Sequence, residues 1–255
     1  MARPDPSEIV AAPTAGRVFQ RSIAPGFADC APSGRTRLDS LARWLQDVAY
    51  ADIADAGLAE AAVWVLRRTR IQVRRWPRFG EEFELATFCS GMGRMWAERR
   101  TTVSRSSEDE PDVEAVALWV HLDPEHWRPV PLGRTELELY GPSAGDRRVT
   151  ARLRHAAPLG DAPSATWTFR STELDIADHI NNCAYWQPLE HELLEAPEPE
   201  WIDAEIEFRI PAQPGEKLLV SDGGPLRPGA MRWIAAGDGE LHASLLVADI
   251  GKMGR

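Results

Sequence analysis

The sequence predicts an α+β fold in which one unit, a helix followed by an antiparallel meander, is written twice. Three observations predict it. The first is a change of hydrophobic period. After an alternating run over Arg17–Ile23, residues Leu38, Leu41, Leu45, Val48, Ala49 and Ile53 fall on one helical face, and the chain then returns to strand-like alternation. The second is that the order of one helix and four strand-like runs recurs after residue 160. The third is a pair of matching turns, Pro77-x-x-Gly80-Glu81-x-Phe83-x-Leu85 and Ala212-x-x-Gly215-Glu216-x-Leu218-x-Val220, each preceded by a helix and a strand.

In chain order, Gly26–Gly34 supplies a turn-rich loop, and the first helix runs from Leu38 towards Gly57, a residue suited to stop it. At about four to five turns it is long enough to be a buried central helix. Val63–Trp76, Glu82–Cys89, Trp96–Arg105 and Val113–Leu122 read as strands, with turns at Pro77–Gly80, Gly91–Gly93 and Ser106–Pro111. Pro129–Gly145 lacks a period and is rich in Pro and Gly, so residues 129–160 are expected to connect two halves. The second unit has a strand over Trp167–Leu174, a helix over Asn181–Leu194, and strands over Ile202–Ile210, Lys217–Ser221, Met231–Ala236 and Glu240–Asp249. Pro188 is expected to kink that helix. The organisation expected is a flexible tail over 1–16, an N-terminal module over 17–128, the connection, and a C-terminal module carrying the active site over 161–255.

A chain of 255 residues with 44% hydrophobic residues and ten tryptophans buries a real core. Its formal charge of -10 argues against a general nucleic-acid binder. Cys30, Cys89 and Cys183 are widely spaced and unpaired in pattern, which suggests neither a disulfide framework nor a zinc site and fits a cytoplasmic protein. No apolar run is long enough to span a membrane, and Met1–Gly16 lack the core of a signal peptide. There is no Gly-rich phosphate loop, no HExxH and no acid cluster with metal-ligand spacing, so neither a metal nor a cofactor is expected.

The densest chemistry lies in Glu173-Leu-Asp175-Ile-Ala-Asp178-His179-Ile-Asn181-Asn182-Cys183-Ala-Tyr185-Trp186, which reads as a strand-to-helix junction. Helix-start N–H groups near Ile180–Cys183 would polarise a carbonyl there, flanked by Asp175 and His179. A carboxylate at such a place acts as general base or nucleophile, and an imidazole orients water or moves a proton. Cys183 is expected to be a small buried side chain and not a nucleophile. The arginines from Arg67 to Arg78, with Arg94, Arg99 and Arg100, offer either a docking face for an acidic partner or internal ion pairs.

Asp175-x-x-x-His179-x-Asn181-Asn182 before Tyr185-Trp186 resembles the hallmark of the acyl-acyl-carrier-protein thioesterases of the hotdog superfamily. Leu38-Asp-Ser-Leu-Ala-Arg-Trp-Leu-Gln46, Trp64-Val-Leu-Arg67-Arg68, Arg75-Trp-Pro77-Arg-Phe-Gly80-Glu and Gly91-Met-Gly93-Arg94 resemble the same family in the same order. The resemblance implies a tandem (double) hotdog fold and cofactor-free hydrolysis of fatty acyl or polyketide-type thioesters of acyl carrier protein. It also implies a chain that is a monomer or homodimer. By the same resemblance Asp175 and His179 would be catalytic, and Asn181, Asn182 and Trp186 would bind substrate. Two departures stand out: the family's catalytic Asn is replaced by Ala177, and its strand Glu aligns with Pro211. Asp178, Glu205 and Glu207 are the acids at hand to stand in. Laying the two halves together sets Ala31 opposite Asp175 and Arg35 opposite His179, so one site per chain is expected. Alternatives are an acyl-CoA thioesterase, a non-hydrolytic acyl-binding or carrier-binding protein, and, more remotely, a hydroxyacyl thioester dehydratase.

Overall fold

The computed structural model describes residues 9–58, 63–105 and 110–251. The strands are β1 (Phe19–Ile23), β2 (Val63–Val73), β3 (Phe83–Met92), β4 (Trp96–Ser104), β5 (Val113–Leu122), β6 (Ser164–Phe169), β7 (Ile202–Phe208), β8 (Gly215–Ser221), β9 (Met231–Ala235) and β10 (Leu241–Ile250). The helices are α1 (Leu38–Asp55), α2 (Arg134–Ala144) and α3 (Gln187–Glu195). All ten strands form one antiparallel sheet in the order β1-β3-β4-β5-β2-β7-β10-β9-β8-β6. The order runs alike from either edge. Two five-stranded halves meet where β2 pairs with β7, and α1 and α3 lie against the inner face, which is the tandem hotdog arrangement. No helix among the described residues is long and apolar enough to cross a membrane.

The seam explains why β2 and β7 alternate as they do. Thr69, Ile71 and Val73 stand opposite Ile206, Ala204 and Ile202, and the apolar members of that face join the core around α1 and α3. On the outer face Arg68, Arg70 and Gln72 stand opposite Glu207, Glu205 and Asp203. Arg70 forks onto Asp203 with Nε and a terminal nitrogen at 2.8 and 2.6 Å. Five other arginines of the cluster also find acids: Arg74 takes Glu110 and Glu114, Arg75 takes Asp112, Arg78 takes Glu198, Arg99 takes Asp52 and Arg100 takes Glu114, whereas Arg67 donates to the Phe208 and Arg209 carbonyls. Of the two uses open to these residues, the structure makes ion pairs.

A segment beyond α2 is fastened across the outer face of the second half. Arg154 and His155 donate backbone N–H groups to Glu207, and the His155 ring lies 3.2 Å from Glu205 and 3.0 Å from Ser244 Oγ. His155, Glu205 and Glu207 converge as metal ligands would. Guanidinium groups of Arg68, Arg154 and Arg209 stand 3.7–3.9 Å from the two carboxylates, however, so the protein matches this charge itself.

The repeat extends to single hydrogen bonds. Ala31 N–H donates to the Arg35 carbonyl and Gly34 N–H to the Ala31 carbonyl; Asp175 N–H donates to the His179 carbonyl and Asp178 N–H to the Asp175 carbonyl. Gly34 and Asp178 both take positive φ, at 85° and 59°. Each loop follows a short 3-10 helix, Phe27–Asp29 or Ser171–Glu173, and each is tied to one of the matching turns, through Thr36 N–H to Pro77 and Ile180 N–H to Ala212. The extended run expected over Trp167–Leu174 therefore stops at Phe169. Asp175 and His179 lie on a three-residue hairpin loop and not at a helix start.

Other expectations are corrected. Residues 129–160 hold α2, which packs beside β3; Gly141 and Pro142 near its end hide its period from sequence. Asn181–Leu194 is a 3-10 helix, Asn182–Trp186, followed by α3, and Pro188 sits in the first turn of α3, where its missing N–H leaves no bond unmade. The expected kink is a helix start. Of the expected tail, residues 1–8 lie outside the described residues, and a Cβ at Gly16 would meet Ser143 N at 2.3 Å, so the chain there lies against α2. Most of the turn expected at Ser106–Pro111 also lies outside them.

One ion pair joins the two central helices. Arg35 and Glu190 are 2% and 3% exposed. Two guanidinium nitrogens of Arg35 donate to the Glu190 carboxylate at 2.8 and 3.2 Å, and its face lies 4.6 Å from the Trp76 ring centroid. Glu190 also accepts the Leu38 N–H at 3.0 Å, which caps α1. Burial raises the Glu190 carboxyl above its ordinary value, and Arg35 opposes that shift. Glu190→Ala leaves the buried Arg35 guanidinium with only the more distant Glu198, at 3.8 Å, and is expected to lower unfolding free energy by about 3–5 kcal/mol. Urea denaturation measures this, and the double replacement Arg35→Met/Glu190→Leu is expected to recover most of the loss.

Candidate active site

A cavity of about 970 Å³ opens between the halves. One side is α1, from Asp39 through Gln46 to Ala54, with Ala97 and Arg99 of β4, Trp119 of β5 and Tyr140 of α2. The other side is the loop Thr172–Ile176 and the 3-10 start at Asn181–Ala184. Asp175, Asn181 and Asn182 are thus brought to one wall. Trp186 is not on it: at 1% exposed it belongs to the core and borders a smaller void that Asn182 and Cys183 share. His179 borders neither space, and its ring makes no hydrogen bond among the described residues. Its carbonyl, not its imidazole, meets Asp175.

The loop fixes the Asp175 carboxylate from two directions. Oδ1 accepts the Ala177 N–H at 2.9 Å, an Asx-type contact within the turn, and Oδ2 lies 3.4 Å from the Asn181 amide nitrogen. Asn181 Oδ1 in turn accepts the Cys183 N–H at 2.9 Å and so caps the 3-10 helix. Tyr185 steadies the neighbouring turn, its hydroxyl accepting the Ala212 N–H at 2.8 Å while burial pushes its phenol up to about 12. Ala177 and Pro211, where the resemblance expects polar side chains, are exposed. Asp178 is exposed at the turn, and Glu205 and Glu207 are buried in the His155 cluster, so none of these three acids lines the cavity.

The helix-start amides differ from the sequence expectation. Ile180 N–H goes to the Ala212 carbonyl, Asn181 N–H to the Glu173 carbonyl and Cys183 N–H to the Asn181 side chain. That leaves the Asn182 N–H as the one amide of Ile180–Cys183 with no partner among the described residues. The equivalent amide in the first half is Leu38 N–H, and there the Glu190 carboxylate occupies the position. Sequence reasoning missed Gln46, Arg99 and Tyr140, which reach the cavity from the other half. Gln46 Oε1 lies 3.7 Å from Cys183 Sγ.

Cys89 and Cys183 are not poised for attack. Burial pushes the Cys89 thiol up to about 11 and the Cys183 thiol higher still. Iodoacetamide at pH 8 is therefore expected to leave Cys89 and Cys183 unmodified in the native protein and to label both after denaturation, as peptide mass spectrometry reads.

A family model described as the acyl-ACP thioesterase N-terminal domain matches residues 16–138, the half that supplies most of the cavity wall. That stretch of the chain matches the acyl-ACP thioesterase family. An uncharacterised protein of Mycobacterium tuberculosis is 25% identical over 214 residues, covering 83% of this chain and 85% of that protein. An acyl-ACP thioesterase from Bacteroides thetaiotaomicron superposes with a TM-score of 0.75 at 17% identity, over 90% of this chain and 97% of that one. A 12:0-ACP thioesterase from Umbellularia californica gives 0.72 at 18% identity, over 91% and 96%. These two likenesses carry the fold, and family and fold together support thioester hydrolysis.

Proposed function

We propose that the chain hydrolyses acyl thioesters of acyl carrier protein at the wall formed by Asp175, Asn181 and Asn182. The observation that carries this is the internal comparison between the halves. In the first half a carboxylate oxygen rests on the Leu38 N–H at 3.0 Å, while the equivalent Asn182 belongs to a cavity wall beside Asp175. An amide that holds an anion in one half is suited to a developing oxyanion in the other. The Asn182 side chain adds a second donor.

In this reading Asp175 takes a proton from water as the water oxygen bonds to the thioester carbon, and the carbonyl oxygen becomes the oxyanion held by Asn182. Collapse of the tetrahedral species breaks the carbon–sulfur bond, and the thiolate recovers the proton from Asp175. Asn181 holds the carboxylate in place, as its 3.4 Å contact supports. Direct attack by Asp175 on the carbon is the variant mechanism, and a covalent anhydride would distinguish it. His179 acts through its carbonyl, which anchors the Asp175 amide and so sets the loop.

Release of free thiol from acyl-ACP and acyl-CoA panels tests this. Asp175→Asn is expected to cut turnover roughly 10²–10⁴-fold, the range of general base catalysis. His179→Ala is expected to cost far less, because the backbone contact survives. Turnover unchanged in Asp175→Asn would sink the site assignment.

A further inference from the structure

The cavity is more polar than a plain hydrocarbon chain calls for. Tyr140, 5% exposed, and Trp119 both line it, and neither Tyr140 Oη nor Trp119 Nε1 has a hydrogen-bond partner among the described residues. Arg99 joins them. It faces the Tyr140 ring with its guanidinium carbon 5.6 Å from the centroid, is held by Asp52 at 2.7 Å, and opposes the rise that burial causes in the Tyr140 phenol without a hydrogen bond of full geometry to its hydroxyl. The register makes two of these groups neighbours: Trp119 pairs with Ala97 and Ala117 with Arg99, so Trp119 and Arg99 are diagonal on one face of adjacent strands.

A buried donor without a partner is costly, so such groups signal a ligand that completes them. The indole N–H donates only, and the phenol donates and accepts. Resting on the thioesterase reading, we propose that the acyl group carries an oxygen function, hydroxyl or keto, several carbons from the thioester, and that Tyr140 and Trp119 select it. An oxygen of either kind accepts from the indole or from the phenol. Its distance follows from α1. Gln46 marks the reacting end, through Cys183, and Asp52 marks the place of Tyr140, through Arg99, while Trp119 also borders the smaller void beside Cys183. The two α1 positions are roughly 9 Å apart along a helix axis.

The test compares acyl-ACP and acyl-CoA thioesters of equal chain length, unsubstituted or bearing a remote hydroxyl or keto group, on the full chain and on Tyr140→Phe and Trp119→Phe. Melting temperatures confirm that the variants fold. The expected result is a kcat/KM at least about tenfold higher for oxygenated chains, with the ratio collapsing towards one in both variants. Equal turnover of oxygenated and unsubstituted chains, or a ratio that neither variant changes, overturns the proposal while leaving thioester hydrolysis intact. If no thioester turns over, the hydrolytic reading fails instead, and calorimetric titration with the free acids still decides the preference. Tighter binding of the hydroxy or keto acid that is lost in Tyr140→Phe upholds the proposal, and equal binding overturns it.

Discussion

Arg35 and Glu190 form the contact on which the asymmetry of this molecule depends. A doubled fold has two equivalent places where a loop, a helix start and the opposing helix converge. In one of them Arg35 and Glu190 fill the space, with the carboxylate on the first amide of α1. A guanidinium and a carboxylate buried this deeply tolerate little water and demand full hydrogen bonding. The contact therefore closes that place and locks the two central helices together. In the other place the loop carries Asp175 and His179, the opposing side chain is the neutral Gln46, and the space stays open as a cavity.

The outer face of the sheet obeys the same constraint. Bringing two half-sheets edge to edge gives a continuous hydrogen-bonded surface, but it also buries the charged side chains that each half presents outward. Arginines from β2 and acids from β7 answer one another across the seam, and His155 with its neighbours extends the network under the covering segment. Such pairing adds modestly to stability because desolvation offsets attraction, yet a slip of register would leave several charges buried without partners. The charges thus specify how the halves join more than they strengthen the joint.

The site inherits its chemistry from this arrangement. The carboxylate comes from a tight loop whose conformation is set by backbone hydrogen bonds, and its partners are a turn amide and the Asn181 side chain. Its surroundings come from the other half, where α1, β4, β5 and α2 supply Gln46, Arg99, Trp119 and Tyr140. In the proposed function a residue in one repeat is completed by residues of the other, so that a duplicated fold gives one site and not two.

The sequence by itself determined the doubled α+β plan, the position of α1, nearly every strand, and the equivalence of Asp175 with Ala31 and His179 with Arg35. These rest on local periodicity and on turn residues repeated at corresponding places, and both are properties of short stretches. It also brought Asp175, Asn181 and Asn182 forward, since they share one loop. The sequence left α2 hidden, because Gly141 and Pro142 break its pattern, and it made a kink of Pro188 where the chain begins a helix. Only the tertiary structure decided that His179 turns its carbonyl and not its ring towards Asp175, that Trp186 is core, that most of the arginine cluster forms ion pairs, and that Tyr140 and Trp119 look onto the same space as Asp175. Those facts depend on contacts between residues far apart in the chain, and no local pattern records which distant side chain a folded sheet will bring opposite.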